Sequence, residues 1–293
     1  MKYTISTHNG TNIARQHNLR NSKVVSKEKH VDLNGRHETW LDIKPEEAYK
    51  TIFNEAVKEY NENQKQKGHS ERQIKNYYKK IQEDKKKHSV YEMIIAVGSY
   101  ENHPDSTTSE QILKEFCASW SERNPNLVMI GCYYHADEAG ANHVHIDYIP
   151  VADNLSRGMK RQNALVKSLN QMGYGLDSKN IHDTAQIQWE KAQNQELERI
   201  CNLHGLEIDH PKREKQAHMN INEYRQQKMI EELERKNKQL EEQKSLLINR
   251  INGLIDYHND LNKTINSLEH GATKLAHQIV SKEHIVNRDC LTR

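Results

Sequence analysis

The sequence predicts an α+β domain over residues 1–210, followed by a long coiled-coil helix over 211–293. Short β-rich runs alternate with amphipathic helical patterns up to Pro211. Beyond Pro211, leucine recurs every seventh residue at Leu233, Leu240, Leu247, Leu254, Leu261, Leu268 and Leu275. Only 34% of the 293 residues are apolar while 29% are charged, so part of the chain must be extended and solvated. The heptad segment supplies that part.

Taken in order, Lys2–Thr7 alternates, with Tyr3 and Ile5 on one side, and reads as a first strand. Pro45 with Glu46 and Glu47 opens a helix: proline suits the first turn, and acids there complement the helix dipole. That helix runs toward Tyr60 with Ala48, Ile52, Ala56 and Val57 on one face. Val90–Val97 reads as a central strand, and Ser109–Trp120 as a helix burying Ile112, Leu113, Phe116 and Trp120. Leu127–Tyr134 and His143–Val151 are two further strands around a turn-like stretch, Asp137–Asn142, with Pro150 at a strand end. Helical patterns at Asn163–Met172 and Ile187–His204 are closed by Gly173 and Gly205. In the heptad segment the companion positions are Ile230, Asn237, Lys244, Ile251, His258, Ile265 and Ala272. Leucine at d with isoleucine at a favours a parallel dimer, Asn237 would fix its register, and Gly253 and Gly271 weaken it locally. The expected partner of this helix is a second copy of the chain.

No stretch approaches the roughly 18 apolar residues of a membrane span, so no membrane insertion is expected. The N-terminus lacks the apolar core of a secretory signal. Four scattered cysteines form no CxxC pair, which suits a reducing cytoplasm. The net charge of +2 implies no nucleic-acid partner by itself. Between Gln64 and His88, however, nine lysines and arginines, among them Lys79 and Lys80, stand against three acids. Tyr77 and Tyr78 lie among them, and such a segment can hold phosphates and stack on unpaired bases, or simply form a solvated surface.

The chemistry concentrates in two places. His143 and His145 are two apart on a predicted strand and therefore share a face, and a hairpin-like return brings His135 near them. Three converging imidazoles can ligate a divalent cation and leave positions open for substrate oxygens, whereas a single histidine on a half-exposed sheet is usually an ordinary polar side chain. Imidazoles favour zinc or another transition metal, while carboxylate and phosphate oxygens also admit manganese or magnesium. Asp137 and Glu138, beside the cluster, can orient a ligand, accept a proton or cap a turn. The second place is Arg15-Gln16-His17-Asn18-Leu19-Arg20, where an imidazole flanked by guanidinium groups suits a phosphate.

Together these stretches resemble the MobV-class relaxases, the Pre/Mob plasmid mobilisation and recombination proteins of the HUH endonuclease superfamily. The family's HNxR motif is His17-Asn18-Leu19-Arg20, and its HxDE…HxH…P motif is His135, Asp137, Glu138, His143, His145 and Pro150. A further block runs from Lys29 to Trp40 and includes Arg36. The spacing from His135 to His143 is one residue longer than the family pattern, and Asn142 stands where a proline often precedes HxH.

The resemblance implies a relaxase domain with a central antiparallel sheet flanked by helices. Its activity would be site- and strand-specific nicking of single-stranded or hairpin DNA at a plasmid transfer origin. His17 would be the nucleophile, forming a 5′-phosphohistidine adduct. His135, His143 and His145 would hold the cation, with manganese first and magnesium or zinc as alternatives. Arg20 would clamp phosphate, and Glu138 or Asp137 would move a proton. Asn18, Arg36, Lys79, Lys80, Arg157, Lys160 and Arg161 are the expected DNA contacts, and a coupling protein is a further partner in such systems. Tyr3, Tyr91, Tyr133 and Tyr134 are rival nucleophiles by proximity to strands. Two other classes compete: a metal-dependent phosphodiester hydrolase without a covalent intermediate, and a non-enzymatic coiled-coil DNA-binding scaffold.

Overall fold

The structure is a computed structural model describing residues 2–28, 30–176, 182–210 and 221–290, the last stretch with side chains at 226, 227 and 229–280. The first strand, expected as one run, breaks at Thr4. β1 (Lys2–Tyr3) pairs in parallel with β7 (Glu207–Ile208), while β2 (Ile5–Gly10) enters the main sheet. Two single-turn helices, α1 (Arg15–Asn18) and α2 (Ser22–Val25), lead into β3 (Val31–Asp42). This twelve-residue strand was not anticipated: its polar residues fall on both faces, so it carries no apolar alternation. α3 (Pro45–Gln66) starts at its proline as expected and runs six residues past Tyr60. α4 (Tyr77–Gln82), β4 (Tyr91–Val97), α5 (Ser106–Ala118) and α6 (Trp120–Arg123) follow. β5 (Leu127–Glu138) and β6 (His143–Pro150) form a hairpin, and α7 (Leu165–Gln171) and α8 (Ala185–Leu203) lead to β7. Gly173 and Gly205, at φ +95° and +76°, end α7 and α8 in the left-handed conformation their positions required.

β2, β4, β6, β5 and β3 lie side by side in that order, every neighbouring pair antiparallel. Strand alternation gives the sheet two unlike faces. Met93, Ile95, Val97, Cys132, Tyr134, Val144, Ile146 and Tyr148 point to one, where Ile112, Phe116, Trp120, Trp189 and Leu197 of the helices complete a core. On the other face Ile130, Ile149 and Val151 pack under Tyr49 and Phe53 of α3 and Tyr77 and Ile81 of α4. His143, His145 and Asp147 share that second face by register, beyond the reach of the apolar cover. The sheet is therefore sealed on one side and half open to chemistry on the other.

Residues Met1–Lys212 and Arg213–Arg293 form separate compact units. The second consists of α9 (Ile221–Cys290), a continuous helix in which Gly253 and Gly271 make no break. Its heptad leucines are exposed, from 43% at Leu261 to 69% at Leu268, so within a single copy the seam is uncovered. Among the described residues no helix is long and apolar enough to cross a membrane.

Candidate active site

β5 and β6 pair His135 directly opposite His143, and His145 follows two residues along the same face. The three rings lie 4.8–5.2 Å apart, centroid to centroid. Each has one nitrogen engaged. His135 Nε2 lies 3.1 Å from the Asn18 carbonyl, His143 Nδ1 3.3 Å from the Ala141 carbonyl, and His145 Nδ1 2.8 Å from Glu92 Oε1. Because a carbonyl only accepts, it fixes His135 as the Nε2–H tautomer and leaves Nδ1 a bare lone pair. That Nδ1 is buried without a hydrogen-bond partner. An imidazole whose far nitrogen donates outward while its near lone pair is uncompensated is the arrangement metal-ligating histidines adopt, so His135 fits a divalent cation; the expected trio does not close as one donor group among the described residues, and each group that does takes in His17 or Glu138. Among the described residues, two donor sets share His135: His17 with His135 and His145, and His135 with Glu138 and His143. The donor atoms within each set lie within 4.8 Å of one another. A third such set is His17, Glu28 and His30.

α1 carries His17 over the cluster, its ring centroid 5.6 Å from that of His135 and 6.1 Å from that of His145. Its Nδ1 lies 2.5 Å from Glu28 Oε2, and its Nε2 faces both Glu138 Oε1 at 3.1 Å and Arg20 Nη1 at 2.9 Å. A neutral ring donates from Nδ1 to Glu28 and accepts from Arg20 at Nε2; a protonated ring donates to both carboxylates. Glu138 Oε1 sits centrally, 2.9 Å from Arg20 Nη2 and 3.7 Å from both His135 Nδ1 and His143 Nε2. The longer turn after it, with Gly140 at φ +105°, therefore keeps Glu138 in place. Asn142 occupies that turn productively, donating to the Tyr134 hydroxyl at 2.9 Å and to Ser106 Oγ at 3.1 Å.

Arg20 differs from its expected role as a free phosphate clamp. It stands in the left-handed region at φ +53°, which turns the chain so that its side chain reaches back into the sheet. Nε and Nη2 bond the two oxygens of Asp137 at 2.7 and 2.5 Å, nearly out of solvent. The guanidinium is thus a pin between the N-terminal segment and β5, and Asp137 is its anchor.

These contacts set the charges. Burial, and then the neighbouring imidazoles, push His135 down to about 2 and His143 down to about 4, so both stay neutral in mild acid. The Glu138 hydrogen bond, opposed by burial and assisted by Glu28, raises His17 above its ordinary value. Burial would raise Glu138, but His17, His143 and Arg20 outweigh it and hold the carboxyl well below the usual range. Burial followed by Glu92 pushes Asp147 up to about 7.

The expected DNA contacts scatter. Asn18 is buried and donates from Nδ2 to Glu92 Oε1 at 2.9 Å, so it braces the acid that holds His145 rather than facing a strand. Arg36 sits on the opposite face of β3, paired with Glu38 at 2.6 Å and Glu110 at 2.7 Å. Lys79 and Lys80 are exposed on α4, and Arg157 is exposed beyond β6. Lys160 pairs with Glu59, and Arg161 with Asp153 at 2.6 Å. Among the rival nucleophiles, the Tyr133 hydroxyl donates to Asp42 at 2.6 Å, and burial raises its pKa first, then Asp42. Tyr134 is pushed up to about 12 by burial, on the sealed face. The reading from sequence missed Glu28 and Glu92, which lie 11 and 53 residues from the histidines they hold, and nothing around either marks it.

The family model Mob_Pre, described as plasmid recombination enzyme, matches residues 8–226. The chain belongs to the Mob_Pre family. The match spans every site residue above and meets the resemblance to MobV-class relaxases at the level of the family. Two solved structures of the MobM relaxase domain (MOBV; Mob_Pre), both Mn-bound and in complex with plasmid pMV158 oriT DNA, are similar to this Mob_Pre chain. The 22-nucleotide complex at pH 5.5 is 15% identical with a TM-score of 0.41, covering 76% of this chain and 98% of that one. The 23-nucleotide complex at pH 6.5 is 16% identical with a TM-score of 0.36, covering 77% and 98%. No curated protein matches the chain in sequence.

Proposed function

We propose that this Mob_Pre protein binds DNA at a plasmid transfer origin and nicks one strand by transesterification, with His17 as nucleophile. The observation that carries the reading is the convergence of His17, already oriented through its Nδ1 by Glu28, on the same sheet face as three imidazoles. A nucleophile held by a carboxylate through its far nitrogen follows the general logic of an activated nucleophile, its base and an orienting group.

Glu138 takes the Nε2 proton of His17 and so frees the lone pair. Once that proton has passed from Glu138 to solvent, the neutral ring attacks phosphorus through Nε2; the P–N bond forms as the P–O3′ bond breaks, and the released O3′ takes a proton from solvent. The phosphorylated ring is left cationic while it keeps its Nδ1 proton, and the Glu28 carboxylate that holds this proton offsets the charge. The product is a 5′-phosphohistidine adduct and a free 3′-hydroxyl, and the P–N bond keeps enough reactivity for the strand to be rejoined. His135, His143 and His145 would hold a divalent cation, manganese first with magnesium or zinc as alternatives, which would supply Lewis-acid polarisation of the phosphate. Arg20 and Asp137 position His17 and Glu138. Exposed Lys79, Lys80 and Arg157 contact the backbone. Residues 211–293 pair with a second copy through the uncovered leucine seam, which gives a homodimer; a coupling protein completes the partners.

Incubation with supercoiled plasmid carrying its transfer origin plus manganese, followed by denaturing electrophoresis with and without protease, tests the reading. A protease-sensitive, acid-labile adduct that His17→Ala abolishes is expected. Nicks without attached protein would instead indicate a hydrolase, and an acid-stable adduct a tyrosine.

A further inference from the structure

The segment between α2 and β3 adds to His17 and Glu28 a third donor, His30, which the proposed mechanism does not use. Each of the three offers a ligand atom, all within 4.8 Å of one another. A hydrogen-bonded turn places Glu28 and His30: the Glu28 N–H donates to the Val25 carbonyl at 2.9 Å, and the Val31 N–H to the Glu28 carbonyl at 3.2 Å. Glu28 Oε2 meets His17 Nδ1 at 2.5 Å. The His30 ring stacks on that of His17, with centroids 5.9 Å apart and 29° between planes. Both rings turn the same nitrogen to one carboxylate: His17 Nε2 lies 3.1 Å from Glu138 Oε1, and His30 Nε2 lies 3.7 Å from Glu138 Oε2. A carboxylate behind the far nitrogen is what steadies a metal-ligating imidazole, and Nδ1 is then the donor each ring offers beside Glu28. Two imidazoles and one carboxylate suit zinc better than manganese or magnesium, which prefer oxygen.

We propose that His17, Glu28 and His30 form a second cation site, apart from the cluster of His135, His143 and His145, and that zinc bound there blocks the nucleophile. The block follows from the tautomer. Attack needs the ring that keeps its proton on Nδ1 and its lone pair on Nε2. Zinc coordinated through Nδ1 requires the opposite tautomer, with the proton on Nε2 and donated to Glu138, so the attacking lone pair is gone. Glu28, whose carboxylate otherwise holds the Nδ1 proton, coordinates the ion instead, and His30 closes the set. Three protein ligands leave a fourth position to water. The zinc site stands on the donor geometry alone; its blocking role rests on the nicking reading.

Two measurements on the full-length chain test it. The first is equilibrium dialysis against free zinc at the micromolar level, with metal analysis of the protein. His30→Phe keeps an aromatic ring against His17 and removes both nitrogens, and it is expected to bind one zinc fewer than wild type. Glu28→Gln is expected to lose the same ion. His143→Ala with His145→Ala is expected to keep it, so that adding His30→Phe to that pair removes one zinc more. Circular dichroism establishes that the variants are folded, and Glu28→Gln decides the matter should His30→Phe prove unfolded. Zinc counts unchanged by these substitutions overturn the site. The second is manganese-supported nicking across added zinc, each protein read against its own zinc-free rate. The zinc concentration that halves the rate should rise at least about tenfold in His30→Phe, the scale on which metal affinity falls when one supporting group is lost. An unshifted inhibition curve overturns the blocking role, zinc then acting by exchange at the three-histidine cluster. Should His30→Phe not nick at all, nitrogen NMR of the His17 ring in wild type decides: zinc is expected to leave its proton on Nε2, and a proton still on Nδ1 overturns the block. Absence of nicking by wild type with manganese alone sinks the nicking reading instead, and leaves dialysis to decide the zinc site.

Discussion

Glu28 holds the His17 ring at 2.5 Å, and both its direct hydrogen bond and that of Glu138 favour the protonated imidazole. Only the neutral ring carries a lone pair on Nε2. Nicking should therefore rise with pH through a midpoint above 6.5, the ordinary histidine value, because His17 is raised. Glu28→Gln should lower the rate about 10²-fold and move that midpoint downward, since one of the groups raising it is gone. A pH–rate profile of single-turnover nicking reads both. Two of the clustered imidazoles behave oppositely. His135 and His143 are depressed, so protons compete with a cation only in stronger acid. Manganese uptake should persist at pH 5.5 and fall only as the pH approaches the range, about 4, to which burial pushes His143 down. His143→Ala combined with His145→Ala should lose stoichiometric uptake at any pH, as equilibrium dialysis with metal analysis would register.

At the scale of elements, the site depends on how closely β3 approaches β5. Gly35 lies in the irregular stretch between the Val31 and Arg36 pairings, and a Cβ there would stand 2.6 Å from the Asp137 Cβ and 2.7 Å from its Cα. Gly35→Ala should push Asp137 off Arg20 and loosen the pin that holds α1 over the sheet. Overpacking of this kind costs typically 1–3 kcal/mol, so a fall in thermal midpoint of several degrees together with slower nicking is expected. Calorimetry and the nicking assay measure the two effects. The same strand shows where sequence patterning fails. β4, β5 and β6 bury one or both faces, and their β-branched and aromatic runs were legible for that reason. β3 is an edge strand with charged side chains on both sides, so neither period nor propensity revealed it. β1 was merged with β2 because alternation continues through Thr4, while pairing changes there from β7 to β4.

For the whole molecule, the exposed seam of α9 carries the remaining consequence. A row of leucines and isoleucines about half exposed along one helix costs hydrophobic free energy in an isolated copy. Leu247→Asp with Leu254→Asp, placed at two successive d positions of the full-length chain, should convert a dimer to a monomer. Light scattering after size exclusion would show the halved mass. Single-strand nicking by each copy should survive, because every group used for the chemistry lies within residues 1–210.

Sequence alone determined the alternation of strands and helices, the shared face of His143 and His145, and the heptad seam. Each is a local period, written by which side of one element meets water. It also determined the pairing of HNxR with HxDE…HxH as a family signature. Tertiary structure decided what those residues are held by: Glu28 on His17, Glu92 and Asn18 behind His145, the Asn18 carbonyl behind His135, and Asp137 across Arg20. Most of these partners are separated from their histidine or arginine by tens of residues or more, up to 117. No periodicity spans such a distance. Only the antiparallel register of the sheet, and the left-handed turn at Arg20 that folds the N-terminal segment over it, bring the groups into hydrogen-bonding reach.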